Sequence, residues 1–156
     1  MAPAPADTPR ANDKTTTTPQ ELVQLAQSYF EASEKFLRPC KKAKKSPHQT
    51  LAHAPYRFNA IHAIELYLSA YLQLNKHEPQ EIRDLQHNLE ERTTRATKAG
   101  LVLRKRTISH LGKLTSTREY VETRYHPAAL KKLSQPTQLL ATLKDVRLKV
   151  EKAVTA

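Results

Sequence analysis

Glu65 is the residue whose position most needs a chemical account. The stretch Pro55 to Asn75, PYRFNAIHAIELYLSAYLQLN, carries apolar residues at helical spacing: Phe58, Ile61, Ile64, Leu68, Tyr71 and Leu72. Glu65 falls four after Ile61 and three before Leu68, on the seam between apolar rows. An unpaired carboxylate buried there is very costly, so a partner is required. Two readings stay open. In one, Glu65 pairs inside the protein with Arg118 or a tyrosine hydroxyl. In the other, it lines a cleft with Arg118 and the turn from Arg124 to His126. Arg118 invites the pairing, because it too sits in an apolar row, four after Leu114 and three before Val121.

The second chemistry on offer is phosphate binding. The 156 residues include 26 Lys plus Arg against 15 Asp plus Glu, a net charge of +11. Such a balance favours polyanion partners, although charge can also serve solubility alone. Its placement is more telling. No acid occurs from Lys35 to Arg57 or from Arg92 to Arg118, whereas solvated helix faces ordinarily mix both signs. Within these stretches Lys41, Lys42, Lys44 and Lys45 precede Ser46-Pro47, and Arg104, Lys105 and Arg106 are consecutive. In an antiparallel bundle both stretches fall at one end and make one patch. That patch would hold phosphates without reading bases, with affinity falling steeply as salt rises.

Other chemistries find little support. Two glycines argue against phosphate-cradling loops, dinucleotide folds and hairpin-rich sheets. The seven histidines are scattered, and none has zinc-ligand spacing, so neither metal nor cofactor is expected. Cys40 stands alone, which rules out an intrachain disulfide and fits a reducing compartment. No apolar run is long enough to span a bilayer, and the first residues lack a signal-peptide core. Cytoplasmic residence without a membrane partner is the expectation.

The elements that must position these residues are all helical. Residues 1 to 17, rich in Pro, Ala and Thr, read as a disordered tail, and residues 18 to 156 as one domain. Thr18-Pro19-Gln20-Glu21 is a capping box that opens a helix ending near Leu37, before Pro39. A basic connector, Pro39 to Ala54, leads to the central helix, with Pro55 in its first turn. A third helix runs from Glu81 to Ala99, with a second start at His87 or Asn88 and Gly100 as its cap. A fourth runs from Ile108 to Tyr125. The fifth runs from Pro136 to about Val154, with Leu139, Leu143, Val146, Val150 and Val154 as its stripe. Nothing alternates with period two. The expected fold is all-α, an up-and-down bundle of about five helices.

Three phrases on these elements resemble the HEPN family, over roughly Glu21 to Pro127. They are Ala63-Ile64-Glu65-Leu66-Tyr67-Leu68 with Ala70-Tyr71-Leu72, then His87-Asn88-Leu89 with Gly100-Leu101, then Tyr120 with Arg124-Tyr125-His126. The resemblance implies a helical bundle, often a homodimer. Such a protein is either a metal-independent ribonuclease of toxin and defence systems or a silent version binding RNA or a partner. The nuclease branch carries Arg, four to six residues, then His in a late helix. Arg104 and His110 match it, and Arg57 and His62 have the same spacing in the wrong helix. By the resemblance, His110 would move protons and Arg104 would stabilise the charged phosphorane, paired across a dimer. So loose a spacing is met about this often by chance. The expected function is therefore a non-catalytic HEPN-like module that binds RNA, or a nucleic-acid-associated partner, through its basic surface. The alternatives are a metal-independent endoribonuclease, with a nucleotidyltransferase as partner protein, and a helical adaptor or dimer with no nucleic-acid role.

Overall fold

A computed structural model describes the backbone of residues 17–42 and 47–156, and the side chains of residues 17–37 and 51–156. The described residues form helices and no strand. The tail expected over 1 to 17 lies, but for Thr17, outside them, as do Lys44 and Lys45.

Helix α1, Pro19–Lys42, starts on the expected capping box. The Thr18 backbone N–H and hydroxyl donate to Glu21 Oε2 at 2.7 and 3.0 Å, and the Glu21 N–H donates back to Thr18 Oγ1 at 3.2 Å. These bonds, the Thr18 backbone one first, lower the Glu21 carboxyl pKa. The expected end at Leu37 is not where α1 stops. Pro39 removes only the bond to the carbonyl four residues back, and the chain stays helical to Lys42. Helix α2, Pro47–Leu74, likewise begins eight residues before Pro55, with Pro47 in the first turn. The connector expected over Pro39 to Ala54 is thus mostly helix.

Helix α2 is the axis of the fold. Tyr56, Ala60, Ile61, Ala63, Ile64, Tyr67, Leu68, Ala70, Tyr71 and Leu72 are all buried. A helix apolar nearly all round must be covered on several sides, and α1 and several of the later helices pack on it. The alanines let those neighbours approach closely.

The third expected helix is two. Helix α3, Pro79–Asp84, ends at a reversal containing Gln86 in the left-handed region (φ 46°). Helix α4, Leu89–Lys98, then starts at Asn88, whose side chain accepts the Glu91 N–H at 2.9 Å. Its end is the expected one: Gly100 takes φ 104°, and the Leu101 N–H bonds back to the Ala96 carbonyl at 2.9 Å.

The fourth expected helix also divides, into α5, Lys105–Ser116, and α6, Glu119–Tyr125. The Ser116 and Thr117 hydroxyls bond back to the Lys113 carbonyl at 3.2 and 2.8 Å. Such residues offer the backbone an alternative to continuing the helix. Arg118 then turns left-handed (φ 51°). A 3-10 helix, Pro127–Lys132, leads to α7, Pro136–Thr155, whose expected stripe is buried throughout. Among the described residues eight helical elements thus stand where about five were expected.

The extra reversal changes the topology. Tyr56 donates to the Pro136 carbonyl at 3.0 Å and Tyr67 to Glu151 Oε1 at 3.0 Å, so α7 runs parallel to α2. A five-helix up-and-down order would have set the two antiparallel. Helix α5 does run antiparallel to α7, with Thr107 on Asp145 and His110 on Thr142.

Candidate functional site

Glu65 lies on the side of α2 that meets α1, α6 and the α3–α4 reversal. It is 6% exposed, and each carboxylate oxygen meets an imidazole. His87 Nδ1 is 2.9 Å from Oε1, and His62 Nδ1, one turn back on α2, is 3.4 Å from Oε2. A carboxylate only accepts, so each ring presents its Nδ1–H to Glu65 and its Nε2 away from it.

The two histidines are joined again through aromatic rings. His87 stacks on Tyr120 at 3.8 Å between centroids, Tyr120 on Phe58 at 6.0 Å, and Phe58 on His62 at 6.3 Å. Tyr29 of α1 meets His62 edge-on at 4.5 Å. Glu65, His62, Phe58, Tyr120 and His87 therefore close a ring with the carboxylate at its base. Arg124 of α6 lies over Phe58 (5.6 Å) and Tyr120 (5.1 Å) and donates to the Tyr120 hydroxyl at 2.9 Å. Among the described residues, no carboxylate pairs with Arg124.

Buried Arg92 positions the pair from behind. Its guanidinium donates to Ser69 Oγ (2.8 Å), to the Gln86 carbonyl (2.7 Å) and to the Ile82 carbonyl (3.2 Å). Ser69 in turn donates to the Glu65 carbonyl at 2.7 Å, and Gln86 immediately precedes His87. Burial lowers the Arg92 pKa, and the Glu65 charge opposes that shift.

The expected partners of Glu65 are elsewhere. Arg118 is exposed at the α5–α6 break, because ending α5 at Ser116 takes it out of the apolar row. Arg124 and His126, expected among the buried polar groups, are exposed; Arg124 caps the ring from outside, and His126 Nδ1 pairs with Glu122 at 3.1 Å. The buried ion pair is one the sequence reading missed: Arg57 Nη1 and Glu119 Oε1 are 2.7 Å apart, at 4% and 1% exposure. Sequence spacing did offer one signal for the site itself, since His62 lies three before Glu65 on one helix. His87 was legible only as a helix start.

Arg104 and His110 are not brought together for chemistry. Arg104 is exposed, with its N–H on Asp145 Oδ2 at 3.0 Å and its Nε 3.6 Å from Oδ1. His110 is 1% exposed, and its Nδ1 pairs with Thr142 Oγ1 at 2.7 Å. Burial lowers the His110 pKa below its ordinary value; Glu119 opposes this, while Lys113 and Arg57 add to it. The unfolded chain therefore takes up a proton at higher pH than the folded one. The stability His110 contributes is full above about pH 6.5 and is lost as pH falls below it. His53, lowered by burial and then by Arg57, acts with the same sign. Between pH 7 and 5 the parent should lose stability relative to His110→Asn, with a slope of up to about 1.4 kcal/mol per pH unit. Urea unfolding of both at each pH measures this, and a constant difference would refute it.

The single basic end is also corrected. Lys41 and Lys42 end α1, close to the start of α2, whereas the Tyr71 hydroxyl donates to the Ala99 carbonyl at 3.2 Å. The turn that leads to Arg104, Lys105 and Arg106 thus starts by the far end of α2, and Arg104 itself bonds Asp145, between the α7 residues that meet Tyr56 and Tyr67, away from the α1–α2 junction. The reversal at Gln86 is the cause, since it sends α4 along α2 rather than back down it. Arg104, Lys105 and Arg106 are all exposed.

No group of three or more His, Cys, Asp or Glu among the described residues could hold a metal ion. None of their helices is long and apolar enough to cross a membrane. No protein-family model, no curated protein and no solved structure matches the chain.

Proposed function

We propose that this chain is a HEPN-like module that binds RNA, with the strand passing over the ring around Glu65. One observation carries the reading: Glu65, His87, Tyr120 and Arg124, drawn from all three phrases that resemble the family, meet at one place. Partly exposed rings interleaved with a guanidinium suit bases and phosphates together. The two basic stretches become separate footholds for the backbone rather than one patch, and a net charge of +11 steers the strand towards them.

A metal-independent ribonuclease is the second reading, favoured by the Glu65–His62–His87 arrangement. One carboxylate orients two imidazoles, and neither Nε2 has a partner among the described residues. One imidazole would take the attacking proton and the other would give one to the leaving oxygen, with Arg124 stabilising the phosphorane.

Incubation of total RNA with pure protein in EDTA at low salt tests both. Binding without cleavage is expected. Lys41, Lys42, Lys44 and Lys45 replaced by Ala should weaken binding uniformly across sequences. The change should also lower the slope of log affinity against log salt by up to about 3, at roughly 0.7 per contact on a single strand. Cleavage abolished by His87→Ala but kept by Arg104→Ala with His110→Ala would establish the second reading. No binding by the parent at low salt would remove RNA altogether.

A further inference from the structure

We infer that Tyr125 and Arg124 form a stacking subsite for one unpaired base, so that the module takes single-stranded RNA and not duplex. The inference rests on the RNA-binding reading and names its substrate class. Tyr125 is 63% exposed at the end of α6, a large ring offered to solvent where the other aromatic side chains of the cluster are at least half covered. The Arg124 guanidinium lies 5.1 Å from the centroid of the Tyr125 ring and 5.1 Å from that of Tyr120. It therefore joins the exposed ring to the aromatic ring around Glu65. It spends one N–H on the Tyr120 hydroxyl, which leaves four donors for a phosphate. The neighbouring acid, Glu122, is engaged by His126 at 3.1 Å. A base on the open face of Tyr125, with its phosphate on Arg124, uses both features at once. Bases paired within a duplex are stacked on one another and cannot reach that face.

The probes are a labelled 12-nucleotide poly-U strand, the same length of RNA duplex, and inorganic polyphosphate as a backbone without bases. Stacking on an aromatic side chain is worth enough to change affinity about 10-fold. Tyr125→Ala should weaken the single strand by about that factor, with the salt slope unchanged because no ion is released. Tyr125→Phe should keep full affinity, and polyphosphate binding should be the same in all three proteins. Arg124→Ala should weaken both the strand and polyphosphate. Equal losses on polyphosphate and RNA in Tyr125→Ala, unchanged RNA affinity in that variant, or parent affinity for duplex matching that for the strand would each overturn the subsite while leaving RNA binding intact. A parent that binds neither RNA nor polyphosphate at low salt would overturn the subsite and the functional reading together.

Discussion

Replacing Glu119 by Ala is expected to cost about 3–5 kcal/mol of folding stability. The carboxylate is 1% exposed and engages three donors: Arg57 Nη1 at 2.7 Å, the Ser134 hydroxyl at 2.8 Å and the Ser134 backbone N–H at 3.2 Å. Removing it strands the Arg57 guanidinium, itself 4% exposed, without a counter-charge. An isolated buried charge is far costlier than the pair was favourable, which is the asymmetry that sets the magnitude. For a domain of this size each kcal/mol moves the melting temperature by about 2–4 °C, so a fall of about 10 °C is expected. The double change Arg57→Met with Glu119→Leu should recover most of it, since apolar residues of similar volume remove both desolvation costs. Thermal and urea unfolding of the parent and the two variants decide the matter. A loss below about 1 kcal/mol in Glu119→Ala would mean that Arg57 finds another partner.

What the sequence could and could not reveal follows from which signals are local. The Thr18–Glu21 box, the Gly100 cap and the α7 stripe each depend on residues within a few positions of one another, and all three were legible. The prolines misled. Pro39 and Pro55 suggest an end and a start, yet both lie inside helices, because each deletes one bond while its neighbours keep theirs. The breaks at Gln86 and Arg118 are non-glycine residues in the left-handed region, which composition does not mark. Missing the reversal at Gln86 had the larger consequence. It changed the parity of the chain, put α7 parallel to α2, and separated the two basic stretches. The break at Arg118 exchanged the members of the buried pair, since Glu119 and not Arg118 faces the core. Glu65 itself was legible as a buried carboxylate that needed a partner. Its partners were not, because His87 arrives from a reversal that the pattern left unresolved.

Glu65→Ala is expected to cost about 2–4 kcal/mol and to remove the proposed RNA site with it. The carboxylate answers the Arg92 charge and holds one imidazole on each oxygen. Without it, Arg92 keeps three neutral acceptors but loses the negative charge that opposes its burial, and His62 and His87 lose the anchor that fixes their rings. Glu65→Gln keeps the volume and one acceptor, so it should cost less than Glu65→Ala and hold one of the two histidines. A loss of RNA affinity could follow from destabilisation alone, which calls for a comparison of equal cost. Leu68→Ala supplies it: Leu68 is fully buried one turn further along α2, and the truncation costs a similar 2–5 kcal/mol without touching either histidine. At a temperature where both variants remain folded, Leu68→Ala should bind single-stranded RNA as the parent does and Glu65→Ala should bind it far more weakly. The imidazole resonances of His62 and His87 should shift in Glu65→Ala alone. Equal RNA affinity in the two variants would separate the ring around Glu65 from any binding role and leave the carboxylate as an element of the fold.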